Sequence, residues 1–269
     1  MIRRDWTETD GSRQWLLIDQ IKHAGLAGQL AETWRGEAHC SLEPRGEILQ
    51  AVIHHDDGWA LWDSAPGIDA NTGMPSNFNE MLLGESLAIW RHSITAAQRW
   101  GNLAAYAVAG HFCALLRRFD SWQKSPAKEQ LARKFLDYYD RQMGVWLAGW
   151  QPHDQTEDPE VIAERGVAWL QFFDALSLWF CCAERTSPES FVAPGGTRVT
   201  FTPMNGQRVA VDPWPWPQRD LKLGVSGRKV AATGYADAKA LADAPHEPVT
   251  LAWRLEPQIR SLGAVNRGH

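Results

Sequence analysis

The sequence predicts an α+β chain: a mainly α-helical bundle followed by a small antiparallel β appendage at the C-terminus. Two patterns carry this expectation. Between residues 13 and 185, apolar side chains recur at helical spacing in six segments. After about Ser187 the composition changes to short β-like runs separated by Gly, Pro and Asn. At 269 residues the chain can hold one large domain or a domain with a substantial appendage. The expected layout is a helical domain over 1–186, a β segment packed on it over 187–257, and a disordered tail over 258–269.

Taken in order, residues 1–12 read as an irregular lead-in. A first helix is expected over Arg13–Trp34, on the spacing of Trp15, Leu16, Ile18, Leu26, Leu30 and Trp34, with Gly36 as its stop. Residues 36–44 form a loop with His39, Cys40 and Pro44. A second helix starts near Arg45 and runs into HHDDGW. The segment SAPGIDANTGMPSNFNE that follows is too long for a mere connection and reads as a cover beside a site. Helical pattern resumes from about Glu80 to Trp100, is broken by Gly101-Asn102, and returns over Leu103–Phe119. Pro126 opens a further helix to about Trp150, GWQPHDQTEDP is a polar break, and a last helix spans about Pro159–Arg185. The β-like runs are RVTFTP, RVAVDP, LKLGVSGRKVAATGY and VTLAWRLEP. The central two suggest a hairpin around Gly227, and PWPWP at 213–217 reads as a stiff, extended crossover.

Composition narrows the function classes. A net charge of −5 leaves no basic footprint for nucleic acid and no polybasic membrane patch. No apolar run approaches the length of a membrane span, and MIRRDWTETDG lacks the apolar core of a signal peptide, so the expected compartment is the cytoplasm. Cys40, Cys113, Cys181 and Cys182 show no CxxC spacing; three of them lie in apolar helical surroundings and read as small buried hydrophobes. Fifteen tryptophans imply thick aromatic packing around a core or pocket without naming a ligand. There is no P-loop, dinucleotide glycine fingerprint or GxSxG elbow.

The chemistry concentrates in AVIHHDDGW at Ala51–Trp59, where an apolar run ends in two histidines and two aspartates. Such groups beside buried-type residues are costly unless satisfied, either by a divalent metal or by facing water at a helix end. Asp174 lies inside VAWLQFFDALSLWFCC, so its carboxylate must be paired, hydrogen-bonded or metal-bound. His111 sits in the apolar run YAVAGHFCALL, as a ligand or as a buried donor to a carbonyl. His23, in KHAGLAGQLAETW, has small neighbours that leave room for a ligand or for another helix.

The order His23, His55-Asp56, His92, His111, Asp174 resembles the ligand order of the HD-domain superfamily of helical metalloproteins. The likeness covers about residues 13–185 and makes the helical part an HD-domain-like bundle. Nearly the whole chain also resembles a bacterial family, domain of unknown function 3891, through HAGLAGQLAETW, HDDGW, AGHFCALL, FFDALSLWFC, DPWPWP and LAWRL. That family brings no known activity with it. The superfamily resemblance implies one or two divalent ions (Fe, Mn or Zn). His23, His55, Asp56 and Asp174 would hold the first, and Asp56 would bridge to a second completed by His92 and His111. With His92 on the surface, one metal would remain. Asp56 and His111 would be the catalytic groups. His54 and Asp57 cannot both face inward with His55 and Asp56 on one helix, and Gly58 falls where HD-type motifs often place a small residue. The departure is Trp59, at a position where many HD hydrolases and the superfamily's diiron oxygenases carry Lys or His.

Three functions follow from the resemblance. The first is a metal-dependent phosphohydrolase acting on a small phosphorylated metabolite or nucleotide, with Lys22 and Arg91 as phosphate partners and Trp59 at the substrate. The second is a mixed-valent diiron oxygenase acting on a less charged substrate. The third is a non-catalytic metal-binding or interaction protein. The expected partner is a small molecule, with no nucleic acid or membrane and with a homodimer left open.

Overall fold

The computed structural model describes residues 1–35, 42–151, 157–205 and 207–258. The expected loop features at His39 and Cys40 lie outside the described residues, as does the expected disordered tail beyond Gln258. The chain opens on a hairpin, not on an irregular lead-in. Strand β1 (Ile2–Thr7) pairs antiparallel with β2 (Arg13–Ile18), from Ile2 opposite Ile18 to Thr7 opposite Arg13. Among the described residues, seven α-helices follow before the next strand: α1 (Gln20–Glu32), α2 (Arg45–His54), α3 (Ala60–Ser64), α4 (Leu83–Ala97), α5 (Asn102–Arg118), α6 (Pro126–Ala148) and α7 (Pro159–Cys182). Strands β3 (Glu189–Val192), β4 (Arg198–Pro203), β5 (Arg208–Asp212), β6 (Leu221–Ala231) and β7 (His246–Pro257) complete the sheet, with the short α8 (Ala238–Asp243) before β7.

This corrects the expected fold class. The β part is a seven-stranded mixed sheet, curled into a half-barrel, in the order β1-β2-β6-β7-β5-β4-β3. It takes strands from both ends of the chain, and only its β5–β7 pair is parallel, with Val209 opposite Leu255. An all-α core with a small antiparallel C-terminal appendage therefore does not describe the molecule.

The physical reason lies in β2. Leu16 and Ile18 face the main core shared with the helices, whereas Trp15 and Leu17 enter a second, smaller core with Met1, Val230 and Leu241. A strand covered on both faces has no polar alternation. Its run of consecutive apolar residues merges with α1 into one apparent helix. The expected hairpin at Gly227 is likewise replaced by a continuous strand. A Cβ at Gly227 would lie 2.7 Å from the Leu17 carbonyl oxygen, so this glycine answers a close backbone approach of β2 rather than a turn.

The long segment after α3 serves the sheet as well. Its Ile68 and Met74 pack on the smaller core. Arg3 of β1 donates to the Pro75 carbonyl and pairs with Glu80 at 2.9 Å, while Phe78 N–H donates to the Met1 carbonyl. These contacts cover the edge strand β1, which would otherwise present unpaired backbone groups. Gly73, at φ 69°, lies against Gly234, where a Cβ would come within 2.7 Å of the Gly234 Cα.

Helices and sheet are fastened around Trp34, which is 2 % exposed. Its ring meets Trp169, Phe172, Phe173 and Trp216 at centroid distances of 5.1–6.1 Å, in edge-to-face geometry. Trp216, from the PWPWP crossover, donates its Nε1–H to the Leu30 carbonyl at 3.0 Å. Gln29 of α1 clamps the Gly224 backbone of β6 with two hydrogen bonds of 2.9 and 3.0 Å. With α1 held between β6 and α7, His23 and Asp174 are brought face to face.

Candidate metal centre

Five titratable side chains from four helical elements converge in the interior: His23 (α1), His55 and Asp56 (the end of α2), His111 (α5) and Asp174 (α7). All five are buried, with Asp174 the most accessible at 8 %. The adjacent pair reaches inward together because the chain leaves α2 there. His54 is the last helical residue, Asp56 sits at φ −107°, ψ 17° in the sparsely populated bridge region, and a 3-10 turn follows over Asp57–Trp59. Gly58 permits this turn to lie on α4. Its N–H donates to Ser93 Oγ at 3.0 Å, and a Cβ would stand 2.4 Å from both the Ile89 carbonyl oxygen and the Ser93 nitrogen.

Two histidines are oriented by the backbone. His23 Nδ1 lies 2.7 Å from the Gln20 carbonyl and His55 Nδ1 lies 2.8 Å from the Val52 carbonyl. A carbonyl only accepts, so each Nδ1 donates to the backbone and each Nε2 points inward to the carboxylates. His23 Nε2 is hydrogen-bonded to Asp174 Oδ1 at 3.1 Å. His55 Nε2 is 3.3 Å from the same oxygen and 3.5 Å from Asp56 Oδ2, yet has no hydrogen-bond geometry to either. His111 Nε2 stands 3.9 Å from Asp174 Oδ2, and its Nδ1 has no partner among the described residues.

These separations fit the donor set of a bound cation. Ligands on bonds of about 2.1 Å are roughly 3.0–3.4 Å apart in octahedral or tetrahedral geometry. The ligand atoms of His23, His55 and Asp56, and those of His55, His111 and Asp174, lie within 4.8 Å of one another in each group. Both groups use His55, whose one inward nitrogen can bind one ion. The two groups therefore compete for one ion at His55, and the set His23, His55, Asp56 and Asp174 expected from the sequence spans both.

Without a cation the same groups polarise one another. Burial disfavours a charged His55, but Asp56 and Asp174 outweigh it and push its pKa up to about 9. Burial alone would raise Asp174, yet the hydrogen bond from His23 and the nearby His55 and His111 imidazoles hold it well below the usual carboxylate range. Asp56 is raised, by burial first and then by Asp174, against the pull of His55 and His23. His111 is lowered to about 4, chiefly by burial, with His55, His23 and Arg118 adding to the effect against Asp174.

The remaining expected site residues fall elsewhere. His92, Lys22 and Arg91 are exposed. His92 stands on α4 beside the buried Ser93 and Ile94 and does not join the cluster. Arg91 lies over the Phe135 ring at 5.5 Å. Trp59 is 3 % exposed, so it fills core space beneath the turn and offers no open face to a substrate. His54 and Asp57 turn away together: His54 stacks on Trp100 at 4.7 Å and meets Asp57 at 3.1 Å, and Asp57 pairs with Arg99. One residue was not singled out from the sequence. Arg118 lies two turns after His111 on the same face of α5, is exposed, and its charge is felt at His111. The signal for it was the seven-residue interval.

The interior cluster, three imidazoles and two carboxylates on a helical frame, defines a candidate metalloprotein centre. The chain itself belongs to the family described as "Protein of unknown function (DUF3891)", whose model matches residues 1–232. No curated protein and no solved structure matched the chain. Among the described residues, no helix is long and apolar enough to cross a membrane.

Proposed function

We propose that the protein is a metal-dependent phosphohydrolase of the HD type, acting on a small phosphorylated metabolite or nucleotide. One divalent ion would be held by His23, His55, Asp56 and Asp174. The observation that carries this reading is the pair of imidazoles whose Nδ1 atoms are fixed by carbonyls, with the His55 Nε2 left unbonded 3.3 Å from Asp174. His23 Nε2 is hydrogen-bonded to Asp174, whereas His55 Nε2 faces two carboxylates without bonding either, the disposition of a ligand whose other ring nitrogen is fixed by a second partner.

When bound, a divalent ion supplies Lewis acidity toward a phosphoryl oxygen and a nucleophile from water at neutral pH. The chain's own groups do the rest. Asp174 and Asp56 place negative charge around the cation, and the backbone bonds of His23 and His55 fix their orientation before substrate arrives. His111 is held neutral by burial, so it can accept a proton from water or return one to a leaving oxygen. Arg118 supplies a cation for substrate phosphate in place of Lys22 and Arg91. The burial of Trp59 answers the missing Lys or His in the motif, because this position does not address the substrate in this chain. The diiron oxygenase reading needs a sixth ligand, and the exposure of His92 speaks against it.

The test is hydrolysis of p-nitrophenyl phosphate and a panel of nucleotides and sugar phosphates, with oxygen uptake followed in parallel. The expected result is phosphate release that chelator abolishes and divalent metal restores, without oxygen consumption. Two bound irons with substrate-dependent oxygen uptake would replace this reading by the oxygenase. Metal binding without turnover across the panel would favour the non-catalytic one.

A further inference from the structure

A second cavity lies at the C-terminal end of α7, where its last turn meets the sheet. Packing leaves a cavity of about 160 Å³ there, reached by β1, β5, β7 and the residues following α7. It opens toward a wider groove that shares Arg4, Trp6, Ala183 and Glu184 with it. None of the five residues of the metal centre lines either space. Its volume matches one aromatic ring, since an engineered cavity of about 150 Å³ admits benzene. Trp6, Trp179, Phe180 and Trp253 supply aromatic walls.

Among these walls stand two arginines with no carboxylate within ion-pair distance among the described residues. Arg4, half-buried, lies over the Trp6 ring at 5.8 Å. Arg185 is anchored by its Nε–H to the Trp179 carbonyl at 2.7 Å and lies over the Trp179 ring at 5.7 Å, which leaves its terminal N–H groups available. Arg208 lines the space too, but it is paired with Glu256. Glu184 lines the mouth and draws Arg4 electrostatically from beyond ion-pair distance.

We infer that this cavity binds a small organic anion, an aromatic carboxylate of about the size of benzoate. The ring would lie among the tryptophans. The carboxylate would face Arg4 and Arg185, the planar forks suited to bidentate recognition.

Benzoate itself is the probe. The metal-loaded protein is titrated with benzoate by calorimetry, beside its neutral analogue benzamide and inorganic phosphate. The same titration is run on Arg4→Gln, Arg185→Gln, Trp179→Phe and the metal-centre variant Asp174→Asn. Saturable one-to-one binding of benzoate is expected, with benzamide at least about tenfold weaker, as loss of a charge-assisted pair implies. Arg4→Gln and Arg185→Gln should each weaken benzoate by about tenfold. Trp179→Phe, which keeps an aromatic wall, and Asp174→Asn should each leave it unchanged. Arg4→Lys, which keeps the charge and the fold, should still weaken it severalfold because the fork is lost. Absence of saturable benzoate binding, or equal affinity for benzamide, would overturn the assignment. So would binding that survives in Arg4→Gln and vanishes in Asp174→Asn, because the anion would then be a ligand of the metal.

Discussion

Gly58→Ala tests how the metal centre is positioned without touching a ligand. The added Cβ would stand 2.4 Å from the Ile89 carbonyl oxygen and 2.4 Å from the Ser93 nitrogen, both backbone atoms of α4. Ordinary contact begins near 3.4 Å, so the turn or the helix must give by about 1 Å. Overpacking of this kind costs about 1–3 kcal/mol. The functional effect should exceed the loss of stability. Asp56 lies two residues away, and metal–ligand distances tolerate only about ±0.2 Å. Metal affinity should therefore fall at least about 10–100-fold, the range seen when supporting groups around a ligand are lost. The assay is metal titration by calorimetry together with thermal unfolding of the metal-free protein. Gly144→Ala is the control: no atom lies within 4 Å of its added Cβ, and the change should be neutral or stabilise the exposed α6 by up to about 1 kcal/mol. If Gly58→Ala binds metal as tightly as the parent, the close approach to α4 does not set the ligands and the argument fails.

Other outcomes follow from the same geometry. Trp34→Ala should cost about 3–5 kcal/mol of unfolding free energy, read by denaturant titration, because it empties the aromatic centre joining helices and sheet. His92→Ala and Lys22→Ala should change stability by no more than about 0.5 kcal/mol and leave metal content intact. A lost ion in His92→Ala would restore the six-ligand site. Arg118→Ala should raise KM for a phosphorylated substrate while metal content stays constant; an unchanged KM would remove Arg118 from substrate binding. Chelation should lower the unfolding midpoint, since an ion present at 100 times its Kd stabilises the folded state by about 2.7 kcal/mol. An identical melting curve with and without chelator would argue against a tight site.

What the sequence made legible is what burial makes expensive. Asp174 sits between Phe173 and Leu176 on α7, and His111 beside Phe112 on α5; polar groups in such runs need partners, and the structure puts them 3.9 Å apart. His55 and Asp56 stood out for the same reason. The His54–His55 choice was harder, since His54 and Asp57 cannot both face inward with His55 and Asp56 on one helix; the break after His54 turns His55 and Asp56 inward together. His92 lacked such a signal. Its neighbours Ser93 and Ile94 take the buried face of α4, and order along the chain alone had suggested it.

The sheet was less legible, again for local reasons. In β1, IRRDWT alternates around charged residues and carries little apolar signal. In β2, QWLLI is apolar on both faces and imitates the start of a helix. The parallel pairing of β5 with β7 joins segments about 45 residues apart, and no local pattern encodes it. Gly227 reads as a turn residue until the neighbouring backbone is known.

Elemental analysis of protein purified anaerobically without added metal shows whether one divalent ion sits on His23, His55, Asp56 and Asp174. The parent and His54→Ala should each carry close to one ion per chain. His55→Ala and Asp174→Asn should carry less than about a tenth of that, while remaining folded by circular dichroism. Two ions per chain, no ion in the parent, or equal metal content in His55→Ala and Asp174→Asn would contradict that placement.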